Sequence, residues 1–208
     1  MVFNTADEKI FKRFIELLCN FISINSVNPA YHSLEDKKKI TAQVRPLSYR
    51  VLQLMQDLLN KNESRGEISS KKLPNCTSNT YLYLDFGWEE TLCIDCHIDT
   101  VQSIGMKDPF TPRIQNGRLY GLGSVDTKPS IAGAIALIEW GLKTKTKFRY
   151  NIVLAATNDE EFGSTGAPAF AKWLEEQKLW IHKMIVADTN KLRSMFWTSR
   201  TSKVWITS

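Results

Sequence analysis

Short apolar runs of strand length alternate with helical patterns over most of the chain, and this alternation limits the fold more than any other feature. The strand-like runs are residues 80–86, 91–96, 151–157 and 184–187, and the helical patterns between them are residues 128–142 and 167–177. Strands that alternate with helices predict an α/β fold of three layers, in which helices cover both faces of a largely parallel, mixed sheet. Ligands of such sheets bind beyond the carboxyl ends of the strands.

Two longer helices precede the alternating region. Residues 6–24 and 35–61 have apolar side chains at helical spacing. Residues 62–79 and 103–118 are polar or rich in turn residues, so we expect loops there. Residues 195–206 form a further strand-like stretch near the end of the 208-residue sequence.

The composition indicates an ordinary globular protein. Hydrophobic residues make up 43% of the chain, and the net charge of +5 is scattered, without the basic stripe and interleaved aromatic residues of a nucleic-acid surface. The first residues lack the apolar segment of a signal peptide, and no apolar run approaches the roughly 18 residues of a membrane span. The cysteines, Cys19, Cys76, Cys93 and Cys96, lack the spacing of a disulfide framework. We therefore expect a cytoplasmic protein with no nucleic-acid and no membrane partner.

Polar side chains with metal-binding chemistry follow the predicted strands at one edge of the sheet. An acidic residue after a strand often caps the next helix, and a lone histidine is often a core residue. Here such residues follow several separate segments of the chain, which favours a common site instead. The residues are His97 and Asp99 in CIDCHIDTV, Asp126 in the glycine-rich turn YGLGSVDTK, Glu160 and Glu161 after strand 151–157, and Asp188 after strand 184–187.

Imidazole and carboxylate groups bind Zn²⁺, Co²⁺ or Mn²⁺ where thiolates are not required. A bridging carboxylate would allow two ions to lie roughly 3.5–4 Å apart. Glu160 and Glu161 are neighbours, and neighbours on a strand point to opposite faces. In a tight turn they can diverge, so that one binds metal while the other acts as a general base.

These residues form motifs that resemble those of the M20 metallopeptidases, a family of dinuclear-zinc deacylases and exopeptidases. The matching motifs, in order, are His97-Ile98-Asp99, Gly121-Leu122-Gly123-Ser124-Val125-Asp126-Thr127-Lys128, Asp159-Glu160-Glu161 and Asp188. Within the family, Asp108-Pro109-Phe110 and residues 117–123 are most similar to acetylornithine deacetylase. The resemblance implies a zinc-peptidase-like catalytic domain and hydrolysis of an amide bond in an N-acyl amino acid or small peptide.

The resemblance also implies a role for each site residue. His97 and Asp188 would bind one zinc or cobalt ion, Glu161 would bind a second, and Asp126 would bridge the two. Asp99 would orient His97, and Glu160 would be the general base for a metal-bridging hydroxide.

By the same resemblance, residues 1–190 would be the N-terminal part of the catalytic domain. Residues 191–208 would be a strand leading toward a lid or dimerisation domain, beyond which the family has a last histidine ligand. His32 and His182 match no ligand position of the family. Without the later strands of the family's catalytic domain, one edge of the sheet would be uncovered, and uncovered edges pair with other chains. We therefore expect a homodimer or association through that edge. The alternative is a truncated, catalytically impaired domain that binds metal or a partner without turnover.

The pair Cys93-x-x-Cys96 raises a redox alternative. Thioredoxin-like motifs lie at a turn between a strand and a helix. Here both cysteines fall inside one predicted strand, where residues three apart face opposite sides. The pattern therefore predicts two separate, buried cysteines.

Overall fold

The computed structural model describes residues 5–31, 34–63, 65–75, 77–188, 192–198 and 203–207, so His32 and Cys76 lie outside the described residues. The helices are α1 (Thr5–Ile22), α2 (Leu34–Lys61), α3 (Lys128–Lys143) and α4 (Gly166–Gln177), with a short 3₁₀ turn at Pro29–Tyr31. The strands are β1 (Gly66–Lys72), β2 (Ser78–Leu84), β3 (Thr91–His97), β4 (Arg113–Gln115), β5 (Arg118–Tyr120), β6 (Asn151–Thr157), β7 (Ile181–Ala187), β8 (Leu192–Thr198) and β9 (Lys203–Thr207).

Within the described residues, seven strands form one mixed sheet in the order β1-β2-β6-β3-β7-β8-β9. The predicted mixed α/β sheet is confirmed, but parallel pairing is limited to its centre, where β3 pairs with β6 and with β7. All other pairs in the sheet are antiparallel. The connections explain this difference. The crossovers from β3 to β6 and from β6 to β7 contain α3 and α4, whereas only a few residues join β1 to β2, β7 to β8 and β8 to β9, and short connections join antiparallel neighbours.

Helices cover both faces of the sheet, as predicted, because the central strands bury side chains on both sides. Leu82, Ile152 and Leu154 face the core under α1, α2 and α3, whereas Tyr81 and Val153 face α4. The two cysteines of β3 follow the same alternation, with Cys93 in the core under α4 and Cys96 in the core under the other three helices. Burial raises the pKa of both thiols. The predicted packing role of these cysteines is confirmed.

The polar edge strand β1 is the main element that the sequence pattern did not indicate. A loop was expected over residues 62–79, whereas Gly66–Lys72 pairs with β2 along its whole length. Every residue of β1 is half-buried or exposed, so the strand lacks the apolar alternation that identifies a strand in sequence. Smaller differences are the hairpin of β4 and β5, which begins inside the predicted loop 103–118 and extends to Tyr120, and two strands, β8 and β9, in place of one strand-like stretch.

Residues 191–208 contribute β8 and β9 to the same sheet as the rest of the chain. The domain boundary near residue 190 and a following lid domain stay predictions. Among the described residues, no helix combines the length and apolar character that crossing a bilayer requires.

Glu139 of α3 joins the three helices on one face of the sheet. Its carboxylate lies 2.8 Å from Nε of Arg13 on α1 and 2.7 Å from Nζ of Lys61 on α2. Burial raises the pKa of Glu139, but the hydrogen bonds from Lys61 and Arg13 outweigh burial and hold the pKa below its ordinary value. The ionised carboxylate therefore stabilises the packing of α1 and α2 against α3.

Replacement Glu139→Gln should lower the free energy of unfolding by about 1 kcal/mol near neutral pH, because the partly exposed pairs are screened by solvent. The folded-state pKa is depressed, so this stabilisation is present above the unfolded-state pKa of about 4.3 and is lost as the pH falls through the folded-state value. Urea denaturation of both proteins across this pH range measures the difference. Replacement Glu176→Gln is the control, since that exposed carboxylate lies 4.0 Å from Lys172. A Glu139→Gln effect that persists at about pH 2 would contradict the assignment.

Candidate metal centre

The sequence-predicted site residues lie together at the carboxyl edge of the parallel strands. The register of β3 and β6 pairs His97 with Thr157, so these two strands end side by side. Each strand then delivers its polar residues to the same place. The residues are His97 and Asp99 at the end of β3, Glu160 and Glu161 after β6, Asp188 after β7, and Asp126 in the turn before α3.

The carboxylates converge on the imidazole of His97. Nε2 of His97 lies 3.0 Å from Oδ1 of Asp126, 3.8 Å from Oδ1 of Asp188 and 3.9 Å from Oε2 of Glu160. An oxygen of Glu161 also lies within 4.8 Å of ligand atoms of His97 and Glu160. The arrangement gives two overlapping groups, His97 with Asp126 and Asp188, and His97 with Glu160 and Glu161.

Hydrogen bonding fixes the tautomer of His97. Nδ1 lies 3.2 Å from the main-chain oxygen of Asp99, an acceptor to which the ring can only donate. In the neutral ring, Nε2 then offers a lone pair to Oδ1 of Asp126. Both of these atoms are buried, and neither has a hydrogen-bond partner among the described residues. Two acceptors at this separation repel unless a proton or a metal cation is shared between them.

The electrostatics of the cluster favour a bound cation. Burial lowers the pKa of His97, but the hydrogen bond and charge of Asp99, with Glu160 and Asp126, outweigh burial and raise the pKa to about 9. Burial, and then the charge of Asp126, raise the pKa of Glu161 to about 7. Burial also raises the pKa of Glu160. The cluster thus retains protons that a divalent cation would displace on binding.

A divalent metal ion fits this donor set. The unpartnered Nε2 of His97 and Oδ1 of Asp126 are a nitrogen and an oxygen ligand of the kind that zinc and cobalt accept. Asp126, Glu160 and Asp188 each expose about half of their side chains, at 48%, 52% and 49%. The exposed parts of these side chains therefore line the open edge of the site, where an ion can reach them, while Oδ1 of Asp126 is buried.

A glycine-rich turn positions Asp126. Gly123 has φ of +79°, and a Cβ atom there would lie 2.9 Å from the side chain of Lys128. Lys128 is fully buried, and its Nζ donates to the main-chain oxygens of Phe21 and Ile24 at 2.9 and 3.0 Å. Burial lowers the pKa of Lys128 to about 7. Lys128 thereby fastens the turn that precedes α3 to the C-terminal end of α1.

Asp99 makes a larger set of contacts than the sequence suggested. We predicted that its carboxylate orients His97, and the two groups lie 3.6 Å apart, while the closer contact of the ring is with the main chain. The carboxylate of Asp99 accepts the backbone N–H groups of Glu160 and Glu161 at 3.3 and 3.2 Å. Asp99 is fully buried and so fixes the turn that presents both glutamates.

Sequence reasoning missed three buried residues beside the cluster. Asn28 donates to Asp99 and to Asp159, and its neighbour Pro29 gave only a turn signal. Asp159 stood within the Asp-Glu-Glu motif without an assigned role. Asp95 accepts a hydrogen bond from Thr157 at 3.0 Å, and burial raises its pKa to about 6. A carboxylate two residues before His97 on an apolar strand was the available signal for Asp95.

The other histidine of the described residues lies away from the cluster. His182, near the start of β7, lies 3.3 Å from Glu90 and stacks on the ring of Tyr150 at 5.6 Å. These contacts agree with the expectation that His182 is not a metal ligand.

Residues 93–195 match the model of peptidase family M20/M25/M40. The chain contains an M20 peptidase domain. The matched region includes all six candidate residues, from His97 in β3 to Asp188 after β7. Members of this family are metallohydrolases that cleave amide bonds.

Relatives of the M20 domain agree with this membership. An uncharacterized metallohydrolase of Methanococcus maripaludis is 32% identical over 166 residues, which cover 76% of this chain and 38% of that protein. A succinyl-diaminopimelate desuccinylase of Rickettsia prowazekii is 29% identical over 152 residues, covering 70% of this chain and 40% of the relative. The chain thus spans about two fifths of the length of these curated relatives.

The fold of the M20 domain also matches solved structures. Human carnosine dipeptidase 1 aligns with a TM-score of 0.70 at 16% identity, covering 88% of this chain and 41% of the dipeptidase chain. At this identity the likeness establishes the fold of the domain.

Replacement Lys128→Met should lower the free energy of unfolding by about 1–3 kcal/mol, because the oxygens of Phe21 and Ile24 lose their buried donor. Urea denaturation of the metal-free chain measures the change. Lys147→Met is the matched control at an exposed position and should change stability by no more than about 0.5 kcal/mol. Equal effects of the two replacements would mean that Lys128 does not fasten the turn.

Proposed function

We propose that the M20 domain takes part in metal-dependent hydrolysis of an amide bond in an N-acyl amino acid or a small peptide. The observation that supports this proposal best is the convergence of carboxylates on one buried imidazole: Nε2 of His97 lies 3.0 Å from Oδ1 of Asp126, with three further carboxylates around the pair. A proton on Nε2 would pair the imidazole with this carboxylate, and a divalent cation would take the place of that proton on binding.

Within the proposal, His97 and Asp188 would hold one divalent ion, Glu161 would hold a second, and Asp126 would be a ligand shared by both. The proximity of His97, Asp126 and Asp188 supports the first set. Zinc is the ion we propose, with cobalt as a substitute that accepts the same ligands. When bound, the ions would polarise the amide carbonyl and lower the pKa of the attacking water.

Glu160 acts as the general base in this proposal. Its side chain is half-exposed, borders a cavity of about 240 Å³ together with His97 and Asp188, and has a raised pKa. A carboxylate with a pKa closer to neutrality takes a proton from water and returns it to a leaving amine more readily. Asp99 supports both glutamates by accepting their backbone N–H groups.

The names of the relatives bear on the substrate. A succinyl-diaminopimelate desuccinylase and a carnosine dipeptidase both act on amide bonds of small amino-acid derivatives, to judge from their names. Our prediction of an acetylornithine deacetylase-like substrate belongs to the same chemical class. We propose an N-acylated amino acid that bears a second amine, with the acetyl and succinyl forms as the compounds to compare.

The expected partner is the small substrate, together with a second copy of the chain or a neighbouring segment at the sheet edge. Within the described residues, the edge strands are β1 and β9. Most residues of β1 are polar, and each is half-buried or exposed, which disfavours pairing along that edge. The homodimer stays a prediction, as does the cytoplasmic location.

The first test is hydrolysis of N-acetylornithine, N-succinyl-diaminopimelate and a β-alanyl dipeptide by the chain with added Zn²⁺ or Co²⁺. We expect release of free amine from at least one compound. A chelator should abolish this release, because the carboxylates alone do not activate water. The assay follows the new amine by a fluorogenic reagent. Metal binding without release of amine from any compound would favour a domain that binds metal without turnover.

The two adjacent glutamates provide the second test. Replacement Glu160→Gln should lower kcat by about 10²–10⁴-fold and leave the bound metal unchanged, because the base is not a ligand. Replacement Glu161→Gln should lower the metal content instead. Metal analysis and kcat separate the two outcomes, and Glu89→Gln, at an exposed position, is the control. Loss of metal in Glu160→Gln with retention in Glu161→Gln would mean that the two roles are exchanged.

A further inference from the structure

The segment from Ser26 to Tyr31, between α1 and α2, runs alongside the end of β3. Val27 forms a parallel bridge with Thr100, and the main chains of Asn28 and Ser26 bond to Thr100 at 2.9 and 3.0 Å. This attachment holds the segment over the residues that follow His97. It places the Asn28 side chain beside the buried carboxylates of Asp99 and Asp159, next to the candidate metal centre.

The side-chain amide of Asn28 lies between two buried carboxylates. Nδ2 donates to Oδ2 of Asp99 and to Oδ1 of Asp159, both at 2.9 Å. Oδ1 of Asn28 accepts the backbone N–H of Ala30 at 2.9 Å, which fixes the orientation of the amide. Asn28 and Asp99 are fully buried, and Asp159 exposes only 2% of its surface.

Each of these carboxylates holds the turn that presents the glutamates. Asp99 accepts the backbone N–H groups of Glu160 and Glu161. Asp159 accepts the N–H of Gly163 at 3.2 Å and the hydroxyl hydrogen of Thr165. Asn28 therefore links Asp99, which accepts from the first residues of the turn, to Asp159, which accepts from its last residues.

A second contact from the same segment reaches the turn directly. The hydroxyl of Tyr31 donates to the main-chain oxygen of Glu161 at 2.8 Å, and its ring contacts Phe162 edge-on at 5.3 Å. The side chain of Gln102 donates to the main-chain oxygen of Tyr31 at 3.0 Å. Tyr31 thus contacts the turn that presents Glu160 and Glu161, here called the glutamate turn, through the Phe162 ring and through the main-chain oxygen of Glu161.

We propose that Asn28 is a positioning residue for the metal centre, which fixes the Glu160–Glu161 turn by bridging Asp99 and Asp159. This inference rests on the proposed function, because the ligand and base that it positions are those named above. Asn28 touches neither substrate nor metal in this proposal. It acts only through the two carboxylates.

Charge explains why an amide is required between these carboxylates. Two carboxylates without a donor between them repel in a buried site, where their charges are poorly screened. The amide supplies two N–H donors and no net charge, so both carboxylates remain available as acceptors for the turn. A cationic side chain there would add a positive charge near the metal ions and repel them, and an apolar side chain would leave both carboxylates without this donor.

The test compares Asn28→Ala with Asn151→Ala. Asn151 is a buried asparagine at the opposite end of β6, where it accepts from Phe86 and Trp88 and donates to Trp88. Both replacements remove a buried amide and should lower stability to a similar extent. Only Asn28→Ala should lower the affinity for Co²⁺, by about 10–100-fold, because removal of residues that support metal ligands has this effect. Competition with a chelator measures the affinity, and the visible spectrum of bound Co²⁺ reports the ligand geometry.

Amide hydrogen exchange provides a readout that needs no metal. In the metal-free chain, Asn28→Ala should accelerate exchange at Glu160, Glu161 and Gly163, and Asn151→Ala should leave those amides unchanged. Tyr31→Phe removes a single hydroxyl and serves as the second variant if Asn28→Ala does not fold. It should weaken Co²⁺ binding by a smaller factor and alter the Co²⁺ spectrum.

The outcomes separate this proposal from the proposed function. Equal Co²⁺ affinity in Asn28→Ala and the unchanged chain, or equal losses in Asn28→Ala and Asn151→Ala, would overturn the positioning role. If the unchanged chain binds no Co²⁺, the proposed function fails, and hydrogen exchange then decides. Local acceleration confined to the glutamate turn would support Asn28 as the residue that holds it, and unchanged exchange in that turn would overturn the proposal.

Discussion

Parallel pairing of β3 with β6 and with β7 brings the chemistry of this domain to one place. The register that pairs His97 with Thr157 ends two strands side by side, so that the residues following them share one edge. Crossovers through α3 and α4 keep the three strands parallel, whereas a hairpin connection would send the next polar residues to the other end of the sheet. The contacts of His97 with Glu160 and with Asp188, which follow β6 and β7, depend on this arrangement.

The shared edge concentrates negative charge, and the structure divides that charge by burial. Asp99 and Asp159 lie deepest, where backbone N–H groups, Asn28 and Thr165 provide donors for their oxygens. Asp126, Glu160 and Asp188 lie farther out with half of their side chains exposed. The buried carboxylates thus stabilise the fold, and the outer carboxylates can bind a cation. Loss of the donors to Asp99 and Asp159 would therefore affect the outer carboxylates only indirectly.

The site was more predictable from the sequence than the edges of the sheet were. The strand at 151–157 and the six candidate residues could be recognised because buried strands are apolar and their polar endings stand out. β1 could not be recognised because an exposed edge strand has no apolar face. The contacts of Asn28 were beyond prediction for another reason. They join residue 28 to residues 99 and 159, but Asn28 lies between two helices and follows no strand, so the rule that gathered the residues at the strand ends did not include it.

The adjacent glutamates show how a local backbone conformation resolves an apparent conflict. Neighbours on an extended strand point to opposite faces, yet Glu160 and Glu161 both bring an oxygen within 4.8 Å of His97. Asp159 has φ of +67°, a left-handed conformation that aspartate tolerates better than most residues, and it ends the extended path of β6 directly before the pair. Asp99 then accepts both of the following N–H groups, which fixes the turn in this form. Because one carboxylate accepts both backbone N–H groups, the two side chains can take different roles while both remain close to the imidazole of His97.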